Sequence, residues 1–454
     1  MGNKFKKHFN NGKIEKYKSY GLRNFREIPQ IKNLTAEEQF NIEVVGHVLP
    51  FKVNNYVVDQ LINWHNVPDD PIFNLTFPQK AMLTQQHFHR VEKLLKNNAS
   101  KEEINQTVDD IRHQLNPHPA DQLKNVPMLG EKKLMGMQHK YRETLLFFPS
   151  AGQTCHAYCT FCFRWPQFTG MSNLKFAMKE SELLVEYLQQ HNEVTDVLFT
   201  GGDPMIMRAD KLAAYIKPIV ENVSTVKNIR IGSKVLAYWP YRFLCEKDSE
   251  ELLHLFKYVK SKGKHLTLMA HFSHPHELQT EVVVEAIRKI RSTGVNIRTQ
   301  SPIMHHINDS SLIWASMWEE QVKLGLIPYY MFIARNTGAQ HYFSIPLVEA
   351  WKIFREAYKR VSGICRTVRG PCMSTKYGKI QILGEVDILG DRVIGLRFIQ
   401  GKNPDWVDRL FFAQLNEDAV WLDDLSPAFF EQKFFFETQE EGIKHLDMDY
   451  RDIA

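Results

Sequence analysis

Beyond residue 145 short apolar runs alternate with amphipathic stretches at a steady beat. The runs cover 145–148, 197–199, 229–231, 266–270, 295–299 and 329–333. The stretches between them, 180–190, 209–220, 250–261, 280–293 and 313–324, repeat apolar residues at helical spacing. Short apolar runs separated by such stretches read as buried strands and covering helices, and their alternation predicts a parallel sheet. Six units predict an α/β fold, a (β/α)6 partial TIM barrel with its functional loops at the C-terminal ends of the strands.

The flanks follow other patterns. Thr35-Ala36-Glu37-Glu38 predicts a helix start, and from there to about Gln122 the chain reads as mainly helical, broken at Val67-Pro68-Asp69-Asp70-Pro71. Val91, Leu94, Leu95 and Ile104 form a candidate buried stripe, with Lys93, Lys96, Lys101, Glu102 and Glu103 on the polar faces. Residues 1–35 read as loosely ordered. After Pro371 the pattern turns to short strands at 379–383 and 393–398. An aromatic-rich tail follows (Phe411, Phe412, Phe429, Phe430, 434–436), whose rings read as packing. The chain divides accordingly into a helical region 1–135, the barrel 136–370 and a mixed extension 371–454.

Composition narrows the class. Hydrophobic residues at 43% and charged residues at 24% are ordinary for a globular protein. A net charge of +5, from 57 basic and 52 acidic residues, is too balanced to call for nucleic acid. The basic N-terminus (Lys4, Lys6, Lys7, Lys13, Lys16, Lys18) reads as a solvated tail. No apolar run approaches a membrane span and no signal-peptide core follows Met1. The expected setting is the cytoplasm, with reduced thiols. Cys245 and Cys365 read as buried core residues.

The densest chemistry lies in Thr154-Cys155-His156-Ala157-Tyr158-Cys159-Thr160-Phe161-Cys162-Phe163-Arg164, where three of the six cysteines are spaced C-x3-C-x2-C. Thiolates are preferred ligands of iron–sulfur clusters, and a short loop wraps three of them round one cube. A four-iron cluster normally takes four cysteines. Three leave one iron open, as a catalytic metal centre requires. A structural zinc site is the second reading, with only His156 at hand as a fourth ligand; three unrelated core cysteines are the third. Thr200-Gly201-Gly202-Asp203-Pro204 follows the run 197–199 and so sits at a strand end. Paired glycines let backbone approach a ligand closely, although alone the segment would be an ordinary strand-to-helix turn.

Together these segments resemble the signatures of the radical S-adenosylmethionine (SAM) superfamily. The resemblance implies a [4Fe-4S] cluster on Cys155, Cys159 and Cys162 whose open iron binds SAM, with Gly201, Gly202 and Asp203 helping to hold SAM. It implies a 5′-deoxyadenosyl radical that abstracts a substrate hydrogen. Cys162-Phe163-Arg164, His271-Phe272-Ser273-His274-Pro275, Gln300-Ser301, Asn308-Asp309 and Pro328-Tyr329-Tyr330 narrow it: over residues 135–380 they resemble the lysine 2,3-aminomutase family in the same order. That likeness implies pyridoxal 5′-phosphate (PLP) as a second cofactor, an amino acid substrate, a 2,3-amino shift, and an electron donor such as flavodoxin or ferredoxin. It leaves self-association open.

Residue by residue, Arg164 falls where the family grips the substrate carboxylate, a role its two-pronged guanidinium suits; a structural salt bridge is its plainer reading. The family's PLP lysine follows a glycine run that is missing here. Counting from Pro371 selects Lys376; matching the Gly-Lys-apolar ending selects Lys379, the preferred choice, with hydroxyls of Ser374 and Thr375 available to a phosphate. Two solvated lysines are the alternative. Arg335 and Arg369 fall where lysine-specific members carry two aspartates for the distant ammonium. Two cations disfavour that ammonium and suit an acidic or oxygen-rich side chain, hence a substrate other than lysine. No cysteine follows Cys372, so a zinc site in the tail is not expected. The competing readings are a radical SAM enzyme without PLP and a non-catalytic iron–sulfur protein.

Overall fold

The structure, a computed structural model, describes residues 16–116, 123–170 and 176–439. Lys4, Lys6, Lys7 and Lys13 of the basic N-terminal stretch lie outside the described residues. One eleven-stranded sheet organises the rest. Its strands are β1 (Met137–Tyr141), β2 (Thr144–Phe147), β3 (Asp196–Phe199), β4 (Asn228–Ser233), β5 (His265–His271), β6 (Asn296–Ile303), β7 (Ile327–Ile333), β8 (Arg369–Ser374), β9 (Gly378–Ile388), β10 (Asp391–Gly401) and β11 (Leu410–Gln414). Each is hydrogen-bonded to the next in chain order. From β2 to β8 every pairing is parallel; β1, β9, β10 and β11 join antiparallel.

The strand–helix alternation read from the sequence is present. Helices α1 (Ala36–Val48), α2 (Pro71–Thr76), α3 (Gln85–Lys96) and α4 (Lys101–Leu115) precede the sheet. Then α5 (Ser181–Gln190), α6 (Ala209–Asn222), α7 (Ser249–Ser261), α8 (Glu281–Arg291), α9 (Ser311–Lys323) and α10 (Leu347–Arg360) cover its outer face. Side chains alternate along the strands as a curved, one-side-covered sheet requires. Val197, Phe199, Ile229 and Ile231 are buried under the helices, while Leu198 and Arg230 are half-buried toward the concave face. Lys140 on β1 donates to Ser374 at the end of β8, so the sheet curls until its two halves face each other.

Three features differ from the sequence reading. The parallel run holds seven strands, not six, because β8 pairs parallel to β7 after helix α10. It spans residues 369–374, ahead of the short strands expected from 379 onward. Residues 16–35 are packed, not loose: Ser19–Tyr20 pairs with Val53–Asn54, and Phe25, Ile28 and Ile31 are buried. The aromatic tail is divided, with Phe411, Phe434 and Phe436 in the core but Phe430 fully exposed. Helix α1 starts where expected, Thr35 and Glu38 each capping the other's backbone N–H. Cys365 is buried and Cys245 half-buried, both as free thiols. Among the described residues no helix is long and apolar enough to cross a membrane.

Candidate active site

The cysteine loop leaves the C-terminal end of β2, and the N-terminal helical region clasps it. Tyr158 N donates to Lys52 O (2.7 Å), Thr160 N to Leu75 O (2.9 Å) and Thr160 Oγ1 to Asn74 O (2.7 Å). Lys52 Nζ donates to Cys155 O (2.7 Å), and Tyr17 Oη and Asn54 Nδ2 both donate to His156 O. A loop without regular secondary structure has its backbone groups satisfied by these long-range partners. The N-terminal region thus serves as a mould for the loop.

Gly201, Gly202 and Asp203 come to the same place from the end of β3. Asp203 N donates to Gly152 O (3.0 Å) and Thr154 O (2.9 Å). A Cβ on Gly202 would stand 2.6 Å from Thr154 N and 2.7 Å from Thr154 O, both backbone atoms. Gly201 has φ +151°, a conformation L side chains resist. The two sequence motifs therefore interlock, and glycine is required because backbone lies against backbone. Gly202→Ala is expected to cost about 1–3 kcal/mol by overpacking and to lower iron incorporation; thermal unfolding together with iron content after reconstitution checks it. Asp203 is a brace: its carboxylate accepts from Met205 N, Ser233 Oγ and Lys234 N, each at 2.9 Å. Burial raises its pKa to about 6 even so.

The three cysteines are half-buried. Burial, with repulsion from Asp203 and the other two cysteines, pushes Cys155 well above the usual thiol range. Burial raises Cys159 to about 12 and raises Cys162 as well. Thiolates at such positions need a bound cation, which is what a metal cluster provides. Tetrahedral zinc with Zn–S of about 2.3 Å gathers its sulfurs to roughly 3.8 Å. Among the described residues these three are not gathered within 4.8 Å, so the donor set fits a polynuclear cluster better than a single ion. The one group that close among the described residues is His139, His191 and Glu193. There His191 pairs with Glu193, and His139 bridges Tyr187 Oη and Arg142 O, leaving each ring already partnered. His156 does not join the sulfurs: it is buried, and burial lowers its pKa to about 3, so it is neutral.

Arg164 is 4% exposed and has no carboxylate partner among the described residues. Nη2 donates to Gln153 Oε1 (3.1 Å), the guanidinium lies over the Phe148 ring, and Nε has no hydrogen-bond partner. Burial lowers its pKa to about 10, which leaves it charged at neutral pH. A buried, uncompensated guanidinium is costly unless an anion completes it, which disfavours the salt-bridge reading.

The two candidate lysines separate cleanly. Lys379 is 9% exposed, directly across from Ser374, with Nζ near the rings of Tyr141 (4.9 Å) and Tyr330 (4.7 Å) and donating to Gln400 Oε1 (2.7 Å). Burial, then the charge of Arg230, lowers its pKa to about 7. Lys376 is half-buried over the Tyr377 ring, in a shallow surface pocket with Lys124 and Asp423. Thr375 is not available to a phosphate, since its hydroxyl donates to Gly378 O and accepts from the Tyr377 and Gly378 amides. Arg335 and Arg369 sit on different aromatic pairs. Arg369 lies over Tyr329 and Tyr330 and donates to both hydroxyls. Arg335 lies over Phe163 and Trp421, and its charge reaches Tyr141.

The remaining family-like segments form a hydrogen-bonded shelf at the strand ends. Gln300 Nε2 donates to His271 Nε2 (2.7 Å), a ring that burial keeps neutral with a pKa of about 3. Ser301 donates to Ser273, and Asn308 Nδ2 to Ser273 O, while Asp309 pairs with His305 at the surface. Lys234, Glu277, Tyr238, Lys52 and Gln153 went unnoticed in the sequence. Lys234 Nζ meets Glu277 at 2.6 Å and Ser273 Oγ at 3.3 Å. The nearest signal was that Ser233-Lys234 closes a strand, at the level where functional loops emerge.

The chain is 33% identical over 404 residues to a protein of Aquifex aeolicus provisionally named L-lysine 2,3-aminomutase, covering 89% of this chain and 95% of that one. It belongs to the lysine 2,3-aminomutase family of radical SAM enzymes. L-lysine 2,3-aminomutase of Haemophilus influenzae is 26% identical, covering 53% of this chain and 69% of its own length. That of Methanococcus maripaludis is 22% identical, covering 91% of this chain and 83% of its own. No family model matches the chain. Among solved structures, SuiB of Streptococcus suis bound to S-adenosylmethionine is 11% identical with a TM-score of 0.34, covering 60% of this chain and 56% of that one, too distant to bear on the site. Family membership makes this an enzyme of the radical SAM aminomutase type.

Proposed function

We propose that this enzyme moves an amino group between neighbouring carbons of an amino acid other than lysine, using SAM on a [4Fe-4S] cluster and PLP on Lys379. The observation that carries the reading is the pairing of three clustered, half-buried thiols with a buried lysine at Tyr141, the two joined through Arg335, which lies over Phe163 beside Cys162 and whose charge reaches Tyr141. Cys155, Cys159 and Cys162 would hold the cluster, with the glycine turn of Gly201 and Gly202 against the loop. Cluster and SAM together supply a radical able to remove a substrate hydrogen. PLP, when bound, holds the substrate nitrogen so that it can pass between adjacent carbons.

The chain's own residues supply position and dryness. Lys379 offers an uncharged amine, which is the nucleophilic form. Lys140 and Ser374, 3.3 Å apart and facing Lys379, suit the phosphate. Arg164, whose Nε has no hydrogen-bond partner and whose charge faces no carboxylate among the described residues, is offered to the substrate carboxylate. Arg164→Met is expected to raise KM for the amino acid about 10²-fold, near 3 kcal/mol for a lost charge-assisted pair; steady-state kinetics checks it.

Arg335 and Arg369 support an acidic or oxygen-rich side chain rather than an ammonium. Each already stacks on aromatic rings, so each would act separately on the substrate. A panel of α-amino acids including lysine, glutamate and aspartate tests the assignment. A PLP-dependent β-amino acid from an acidic substrate is the expected product; equal or better turnover of lysine would overturn the substrate class.

A further inference from the structure

Tyr238 is the feature the proposed reaction leaves unused. Its side chain is 2% exposed, on a one-turn helix (Val235–Tyr238) that follows β4. The Cys159 thiol donates to the phenol oxygen at 3.5 Å, and among the described residues this sulfur is the hydroxyl's hydrogen-bond partner. Two further contacts hold the ring in place. Lys234 Nζ sits 4.6 Å from its centroid, anchored by Glu277. Asn54 Nδ2 donates both to Tyr238 O (2.9 Å) and to His156 O (3.2 Å), tying the tyrosine's backbone to the cysteine loop. Asn54 is itself fully buried, so the approach of phenol and sulfur is supported by a clamp independent of the S–H···O hydrogen bond between them, whose direction reverses once the sulfur is a thiolate with no hydrogen to give.

We propose that Tyr238 is a positioning residue for the iron–sulfur centre, donating its phenolic hydrogen to the Cys159 thiolate and easing reduction of the cluster. This rests on the cluster reading above. A phenol is a donor able to turn toward sulfur, and a hydrogen bond to a cluster sulfur stabilises the extra electron of the reduced state. Hydrogen bonds to sulfur and solvent exclusion are among the means by which a protein sets cluster potential. Tyr238 supplies the first and, being buried, part of the second. Radical initiation needs a reduced cluster, so such a donor bears on the entry step and not on substrate choice.

Tyr238→Phe removes the hydroxyl and keeps the ring. Wild-type and Y238F proteins would be reconstituted anaerobically with iron and sulfide, their iron content measured, and the cluster titrated by redox potentiometry with EPR detection. The expected result is equal iron content, with Y238F holding about tenfold less reduced cluster at a given potential, a shift near 59 mV toward more negative values for a one-electron couple. Deuterium hyperfine spectroscopy in D2O should show an exchangeable deuteron at the wild-type cluster that is missing in the variant. Identical potentials, or a set of exchangeable couplings in Y238F identical to that of the wild type, would overturn the assignment; the Arg164 amide at Cys162 contributes a coupling common to both. Should Y238F load poorly, the wild type decides: a second exchangeable coupling besides that of the Arg164 amide at Cys162 supports the proposal, and a single one counts against it. Failure of the wild type to assemble a four-iron centre would instead refute the cluster reading on which it stands.

Discussion

Cys159→Ala abolishes SAM cleavage while the protein stays folded. This result is expected because the loop's shape does not come from the sulfurs. It comes from Lys52, Asn74 and Leu75, which bind its backbone from the N-terminal region, and from Gly152 and Thr154, which accept from Asp203 N. Loss of a ligand's outer-shell partner typically costs 10–100-fold in metal affinity or activity, so loss of the ligand itself should cost ~10³-fold or more. Removing one half-buried sulfur costs the fold at most about 1 kcal/mol. Iron analysis, circular dichroism and the rate of 5′-deoxyadenosine formation separate the two effects. Unfolding of the variant, or unchanged cleavage, would contradict this division of labour.

Lys379→Met should act on the other half of the site. Any PLP absorbance band of a Schiff base is lost and amino migration stops, while SAM is still cleaved at a rate within a few-fold of wild type. Lys376→Met should leave the band in place, because that side chain stands in a separate surface pocket. A second consequence concerns stability. Burial lowers the Lys379 pKa to about 7 in the folded chain against 10.5 as its ordinary value. Between those values the unfolded chain binds a proton that the folded chain does not, so stability rises with pH across that window. Below pH 7 the cost of a buried ammonium is fully present. PLP-free Lys379→Met should therefore be more stable than wild type at pH 6–7, with the gap closing toward pH 10, as denaturant unfolding at several pH values would show.

The sequence reveals those parts of the protein whose chemistry is local. Three thiols within eight residues, and Gly201-Gly202-Asp203-Pro204 at a strand end, carry their meaning in residue type and spacing. The strand–helix rhythm is legible for the same reason, since each element's burial is written in its own period. Contacts made across the chain leave no such trace. Lys52 and Asn54 reach the cysteine loop from about a hundred residues away, and nothing around them distinguishes them from ordinary polar residues. Gly370-Pro371 lies in β8, a strand the sequence pattern does not show, where a Cβ on Gly370 would meet Met331 O at 2.6 Å. The glycine there serves close packing of neighbouring strands. Choosing Lys379 over Lys376 depended on Gly378 and the following strand; its depressed pKa comes from burial among Tyr141, Tyr330 and Phe332, which only the folded sheet assembles.

Asp203 has structural partners that its sequence neighbours do not announce. The segment sits at the cysteine loop as expected, but the carboxylate is spent on Met205, Ser233 and Lys234. Asp203→Asn keeps one acceptor oxygen, enough for Met205 N or for Ser233 and Lys234 but not for both sides, and sets its NH2 against the remaining donor. It is expected to weaken the junction between loop and strand.

The most direct measurement is anaerobic reconstitution with iron and sulfide, followed by SAM and a strong reductant, reading 5′-deoxyadenosine and methionine over time. The account predicts about four irons per chain, release of both products in equal amounts, and loss of both with Cys155, Cys159 or Cys162 replaced. A chain that binds a single zinc, or that loads four irons and leaves SAM intact under reducing conditions, would contradict it.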